Sequence, residues 1–297
     1  MQKIIPFLWF EKNMKEVTDF YVSVFPETKV KGGGELENTP SGTVQMATIE
    51  ILGTVFNFMT AGPYLPFNPT VSFIVSCDSQ EEVDQLWEKL SNSGKILMEL
   101  SSYPFAEKYG WVQDKYGVSW QIMYSSTMKA PSKIIPTLMF AGTVCGRAEE
   151  AVNFYTLVFN NSKIGYVMNY DGTEPVDDER AKVKHAGIQI ENFNISLMDS
   201  GKKSPLSFEQ AISFIVNCET QEEVDYYWEK LTDGGKEIQC GWLNDKFGFP
   251  WQIVPTAMGQ MMSTGTKEQI ARVTEAFMKM KKFDIKTLEN AFEGIQE

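Results

Sequence analysis

Few side chains in this sequence can do chemistry alone, and their spacing decides what they could do together. There is one histidine, His185, and there are four cysteines, Cys77, Cys145, Cys218 and Cys240. A Ser–His or Cys–His mechanism needs an imidazole within reach of the nucleophile, and one imidazole serves one site. No two cysteines form a CxxC pair, which argues against a zinc ribbon or a dithiol redox centre. The expectation is four small buried thiols in a reducing compartment. Asp114 and Asp245 each open a D-K-x-G turn, Asp114–Gly117 and Asp245–Gly248. An aspartate there ordinarily accepts the backbone N–H groups of its own turn, and that role is expected ahead of general-base catalysis. Tyr103, Trp111 and Trp242 combine apolar rings with polar tips, as walls of a small-ligand pocket do. For the two tryptophans, plain core packing is the competing reading.

Charge narrows the partners. The formal net charge is −12 over 297 residues, with a pI near 4.8. A nucleic-acid binder carries a basic stripe, and none is visible, so no nucleic-acid partner is expected. No apolar run approaches the roughly 18 residues of a membrane span. The opening MQKIIPFLWFEKN reads as a strand leading straight into the fold rather than a secretory leader. A soluble cytoplasmic protein without a membrane partner is the expectation.

The elements that must position these residues are written twice. Residues 72–95 (SFIVSCDSQEEVDQLWEKLSNSGK) and 213–236 (SFIVNCETQEEVDYYWEKLTDGGK) agree at sixteen of twenty-four positions. GWVQDKYGVSWQI at 110–122 matches GWLNDKFGFPWQI at 241–253, and Ile4–Pro6 matches Ile134–Pro136. The order is kept, so the chain is a duplication, with expected domains at 1–128 and 129–262 and a tail at 263–297. Within each domain a β-run precedes a helix whose apolar residues recur at i, i+3, i+4 and i+7: Val17, Phe20, Tyr21, Val24, and again Ala151, Phe154, Tyr155, Val158. Strands are expected at 28–33, 43–51 and 54–60, with the glycines at 32–34 acting as a loop signal. A second strand–helix unit follows, its helix opened by a capping box at Ser79/Glu82 and Thr220/Glu223. Its buried stripe is Val83, Leu86, Trp87 and Leu90, or Val224, Tyr227, Trp228 and Leu231. In the tail, Thr266 and Asp284 can each cap a helix, and Ile270, Val273, Phe277 and Met280 form an apolar stripe that must pack somewhere.

FLWFEKNMKEVTDFYVSVFPETKV and the paired DKYGVSWQI and DKFGFPWQI endings resemble the PhnB-like branch of the vicinal oxygen chelate (glyoxalase/bleomycin-resistance) superfamily. That branch often carries the label demethylubiquinone methyltransferase-like. The resemblance spans both repeats and extends to the tail. It implies an α+β fold: tandem domains, each of two βαβββ modules forming an open mixed-sheet barrel around a cavity, followed by C-terminal helices. Metal-dependent relatives hold a divalent ion in that cavity; bleomycin-resistance relatives bind a ligand there without metal. The methyltransferase label finds no echo in the residues, because a methyl-donor site of the usual α/β kind needs a glycine-rich turn between a parallel strand and a helix.

Carried over by the resemblance, the metal positions fall near Phe7 and Thr137 on the first strands, at Ser72 and Ser213, and at Gln121 and Gln252 on the last strands. These are poor ligands for a borderline-soft divalent ion. His185, whose counterpart is Met46, is the one candidate metal ligand, with Gln252 and Asp199 as its nearest prospective partners. The leading expectation is a metal-independent small-molecule-binding protein, its ligand held by Gln121, Gln252, Ser72, Ser213, Tyr103, Trp111 and Trp242, with no cofactor. A divalent-metal lyase, isomerase or dioxygenase with one site in the second domain is the alternative, and a structural or interaction protein the third. The tandem would mimic the dimer of single-domain relatives as a monomer, or form a homodimer.

Overall fold

The computed structural model describes residues 2–11, 13–39, 42–62 and 65–295. The βαβββ plan occurs four times. The first module is β1 (Ile4–Phe10), α1 (Met14–Val24), β2 (Lys29–Thr39), β3 (Gly42–Ile51) and β4 (Thr54–Thr60). The second is β5 (Val71–Ser76), α2 (Gln80–Ser91), β6 (Lys95–Tyr103), β7 (Ala106–Gln113) and β8 (Ser119–Tyr124). The third is β9 (Ile134–Phe140), α3 (Ala148–Val158), β10 (Lys163–Asn169), β11 (Val183–Ile190) and β12 (Phe193–Asp199). The fourth is β13 (Ile212–Cys218), α4 (Gln221–Thr232), β14 (Lys236–Glu237), β15 (Trp242–Asn244) and β16 (Pro250–Pro255), followed by α5 (Thr256–Thr264), α6 (Lys267–Phe277) and α7 (Ile285–Glu293). The expected α+β class is the observed one.

The chain divides into two compact units, Pro6–Ile212 and Met1–Ile5 with Ser213–Glu297. Inside the first, the second and third modules merge into one open mixed sheet of eight strands, in the order β10-β11-β12-β9-β5-β8-β7-β6. Their seam is the antiparallel β5–β9 pair, running from Val71 opposite Leu138 to Val75 opposite Ile134. β5/β8 and β9/β12 are parallel pairs. This sheet thus joins the second half of one sequence repeat to the first half of the other. β1 from Pro6 onward, β4, β3 and β2 lie side by side in the same unit.

Period-2 alternation sorts each strand between a helix-packed face and an opposite face. Phe73 and Trp120 are buried on the helix side, with Trp120 4.8 Å from Phe25 and 5.3 Å from Phe73 between ring centroids. Trp251 packs likewise against Phe214 and Phe249 in the other unit. Trp87 is half-buried, its ring lying over Gly110, where a Cβ would stand 2.3 Å from it. The capping hydroxyls behave as expected, Ser79 accepting from the Glu82 N–H and Thr220 from that of Glu223. The glutamates reach one residue further back than a capping box requires, to the N–H groups of Asp78 and Glu219.

The glycines at 32–34 are not the expected loop. They continue β2 in register with Thr48, Ala47 and Met46 of β3. At Gly33 a Cβ would meet the Met46 carbonyl at 2.5 Å, so the glycine permits close pairing rather than a turn.

In the second unit, β14-β15-β16-β13 lie side by side. Thr266 and Asp284 cap α6 and α7. Val273 and Phe277 are buried, but α6 ends at Phe277, so Met280 belongs to the turn beyond the stripe. That turn receives the Cys240 and Gly241 N–H groups on the Met280 and Lys281 carbonyls, and Gln221 of α4 bonds the backbone of Phe283 and Ile285. The tail packs on its own chain.

Candidate functional site

A polar line crosses the face of the eight-stranded sheet away from the helices. Gln121 of β8 donates through Nε2 to the Ser72 hydroxyl of β5 at 2.8 Å, and its Oε1 accepts from the Tyr109 hydroxyl of β7 at 2.8 Å. Both ends of the amide are therefore engaged. Thr137 of β9 stands opposite Ser72, and Ser196 of β12 opposite Thr137. All five side chains are buried. Burial raises the pKa of the Tyr109 phenol, which keeps its proton for Gln121. One oxygen in this line is left over: Thr137 Oγ1 is buried and has no hydrogen-bond partner. Buried polar atoms are nearly always paired, so this one marks a place where a polar atom is wanted.

The sequence-derived residues divide around this line. Ser72 and Gln121 are joined as a pair. Trp111 lies beside Gln121 in the β7–β8 register, half-buried, its indole N–H donating to the Ser119 hydroxyl at 2.7 Å. Tyr103 is half-buried in β6, its ring 5.4 Å from that of Tyr109, its hydroxyl donating to the Glu99 carbonyl. Tyr109 escaped the sequence reading, although its two-residue spacing from Trp111 on one strand was the available signal. Phe7 sits on β1 opposite Asn57 of β4, apart from this sheet.

In the other unit Gln252 donates to Ser213 at 2.9 Å, with Trp242 opposite Gln252 and half-buried. The pair is repeated but its surroundings are not. Lys95 to Gly110 spans fifteen positions, whereas the matching Lys236 to Gly241 spans five. The missing ten residues shorten the hairpin to β14 and β15; the counterpart of Tyr103 goes with them, and Cys240 stands in the place of Tyr109.

His185 lies on the same face as Thr137, because its strand neighbour two positions on, Gly187, pairs with Ser196. Its Nδ1 is 2.8 Å from the Tyr166 hydroxyl of β10, and burial lowers its pKa, favouring the neutral ring. The two partners expected from sequence are each engaged elsewhere. Gln252 belongs to the other compact unit, where its amide donates to Ser213. Asp199 is fully buried, its carboxylate accepting the backbone N–H groups of Gly146, Ala148, Lys182 and Val183. Among the described residues no three of His, Cys, Asp and Glu converge.

Asp114 and Asp245 fulfil the structural role. Asp114 takes the N–H groups of Tyr116 and Val118, the Tyr21 hydroxyl and the Trp120 indole N–H. Asp245 takes those of Phe247, Phe249 and Trp251. A surface hollow of about 430 Å³, lined by Asp178, Arg180, Lys203, Ser204 and Pro205, lies elsewhere in the first unit. It is wide open, and its Arg180 is already held by both oxygens of Asp178.

Paired βαβββ modules around a polar-lined sheet face define the class, the glyoxalase/bleomycin-resistance fold. Glyoxalase I from Zea mays is similar over 85% of this chain and 93% of its own, at 13% identity and a TM-score of 0.54, a likeness of fold. Over residues 2–123 and 132–254 the sequence matches the 3-demethylubiquinone-9 3-methyltransferase family, and the chain belongs to that family. The PhnB protein from Bacillus cereus, described as a putative 3-demethylubiquinone-9 3-methyltransferase, is 38% identical over 42% of this chain and all of its own, with a TM-score of 0.38. A glyoxylase/bleomycin resistance protein/dioxygenase domain from Frankia sp. EAN1pec is 13% identical over 41% of this chain and 90% of its own, with a TM-score of 0.32. No curated protein matches the chain. Among the described residues no helix is long and apolar enough to cross a membrane.

Proposed function

We propose that this chain binds a small uncharged organic molecule on the Tyr109–Gln121–Ser72–Thr137 face, without a divalent ion. The observation that carries the reading is the unpartnered, buried Thr137 Oγ1 beside a hydrogen-bonded polar line. A ligand with one polar atom at that point would complete the line, with Trp111 and Tyr103 as aromatic wall. The family-derived ligand positions Ser72, Thr137 and Gln121 meet here, but they supply neutral oxygens, and the Gln121 oxygen is already occupied by Tyr109. A divalent ion would find no anionic ligand to offset its charge. Methyl transfer is not part of the reading. The strand-to-helix turn with two glycines, 141–147, gives the Gly146 N–H to Asp199 instead of leaving it for a cofactor. Four unpaired thiols suit a reducing cytoplasm, and the merging of two modules within one chain suits a monomer.

The test is a thermal-shift screen of neutral small molecules, with and without chelator, on the wild type and on Thr137→Val. A compound that stabilises the wild type, ignores chelator and is lost with Thr137→Val supports the reading. One tightly held divalent ion per chain, with a melt that drops on chelation, would overturn it in favour of a metal enzyme.

A further inference from the structure

The only histidine stands among thioethers. Met168 of β10 pairs with His185 in the β10–β11 register. One position beyond the last paired residues of β11 and β12, Ala186 and Leu197, the same register sets His185 beside Met198. Met198 in turn pairs with Met139 of β9. The row Met168–His185–Met198–Met139 therefore crosses four adjacent strands on one face, where directly opposite side chains are about 4.5–5.5 Å apart at Cβ. Methionine makes up 15 of the 297 residues, so composition alone does not place three of them beside the sole imidazole. Met168 is 50% exposed, His185 and Met198 are half-buried, and Met139, at the end of the row, is buried.

We propose that His185, with Met168 and Met198 on the strands to either side of it, binds a soft monovalent cation, Cu(I) being the biological one. Thioether and imidazole donors select Cu(I), whereas harder divalent ions want carboxylate or water. The ligand set is neutral, which suits a single positive charge better than two. The histidine is also oriented from outside the row. Tyr166 lies across Gly187, where a Cβ would come within 2.7 Å of the ring, and its hydroxyl holds His185 Nδ1. That leaves Nε2 as the ring nitrogen available to a metal, and such outer contacts are what fix a ligating ring. The ordinary alternative is that the methionines simply line an apolar groove. A second soft pair, Cys240 Sγ and Met278 Sδ at 3.8 Å, lies in the other compact unit and must be separated in the test.

The test is anaerobic titration of the full chain, carrying Cys240→Ser, with Cu(I) against a competing chelator and with Ag(I) as a redox-inert stand-in. Methionine methyl groups are followed by NMR. One ion per chain is expected, with the Met168 and Met198 signals moving together and Zn(II) leaving them in place. Met168→Leu with Met198→Leu, near-isosteric and folded by circular dichroism, should weaken binding at least tenfold. Undiminished binding in that double variant, or binding that disappears with Cys240→Ser alone, would overturn the proposal. So would no binding at all. None of these readouts depends on the neutral-ligand reading above.

Discussion

Replacing Thr137 by valine should make the protein more stable and less able to bind. The side chain is buried in the middle of β9, and its hydroxyl has no partner. A buried hydroxyl left unpaired costs roughly 1–3 kcal/mol. Valine keeps the shape and the β-branch that suit a strand, so Thr137→Val should recover about 1–2 kcal/mol in the ligand-free protein. For a chain of this size, roughly 2–4 °C per kcal/mol makes that a rise of about 2–8 °C. Because the chain has two compact units, a single melting curve need not be two-state. Hydrogen exchange of peptides spanning 134–140 localises the effect. Gln121→Leu is the contrast: it strips partners from the Tyr109 and Ser72 hydroxyls and should cost about 2–4 kcal/mol. If Thr137→Val destabilises the protein as well, its hydroxyl has a fixed partner such as an ordered water, and the argument for a ligand contact at Thr137 collapses.

Asp114 predicts a pH dependence of unusual sign. Burial pushes its carboxyl up to about 6, against the pull of its hydrogen bonds from Trp120, Tyr21 and the turn N–H groups. Between about pH 4 and pH 6 the folded state then holds more protons than the unfolded one, so this group's contribution falls as pH rises, by about 3 kcal/mol over roughly two units at about 1.4 kcal/mol each. The stability difference between wild type and Asp114→Asn should shrink by that order between pH 4 and pH 7; a difference that grows instead would mean the hydrogen bonds outweigh burial. The cysteines predict chemical inertness. Burial pushes Cys77 and Cys218 up to about 12 and Cys145 to about 11, so a thiol reagent at pH 8 should label the native protein at half-buried Cys240 alone, read by peptide mass spectrometry. Fast labelling of Cys77 or Cys218 would show that their strands open readily.

Much of the fold could be read because duplication doubles every local signal. The two capping motifs, the two D-K-x-G turns and the two W-Q-I endings each corroborated the other, and only the capping glutamates departed from expectation, by one residue. The glycines at 32–34 misled because a glycine signals either a turn or a close backbone approach, and only the Met46 carbonyl opposite Gly33 decides between them. The site was legible as residue types but not as an assembly. Ser72 and Gln121 are 49 positions apart yet share a hydrogen bond, and their third member, Thr137, comes from the other repeat. Repeat matching assigns residues to copies; it says nothing about which copies share a sheet.

That last fact bears on where function can reside. In the metal-dependent alternative, repeat matching places the only histidine, and with it the one site, in the second domain. The β5–β9 seam removes the distinction, because Gln121 from the first repeat and His185 from the second lie on one face of one sheet. The real asymmetry lies in hairpin length. Where β6 and β7 are long, Tyr103, Tyr109 and Trp111 stand over the glutamine. Where the matching segment has lost ten residues, the tail's Met280 and Lys281 carbonyls take the Cys240 and Gly241 N–H groups, and Phe283 covers Gly241. The Ser213–Gln252 pair is thus the copy whose arm was shortened and whose edge the tail occupies. The ten-residue difference between the copies leaves one equipped face and one residual one, and substitutions at Ser72 and Gln121 should affect ligand binding where the same changes at Ser213 and Gln252 affect stability alone.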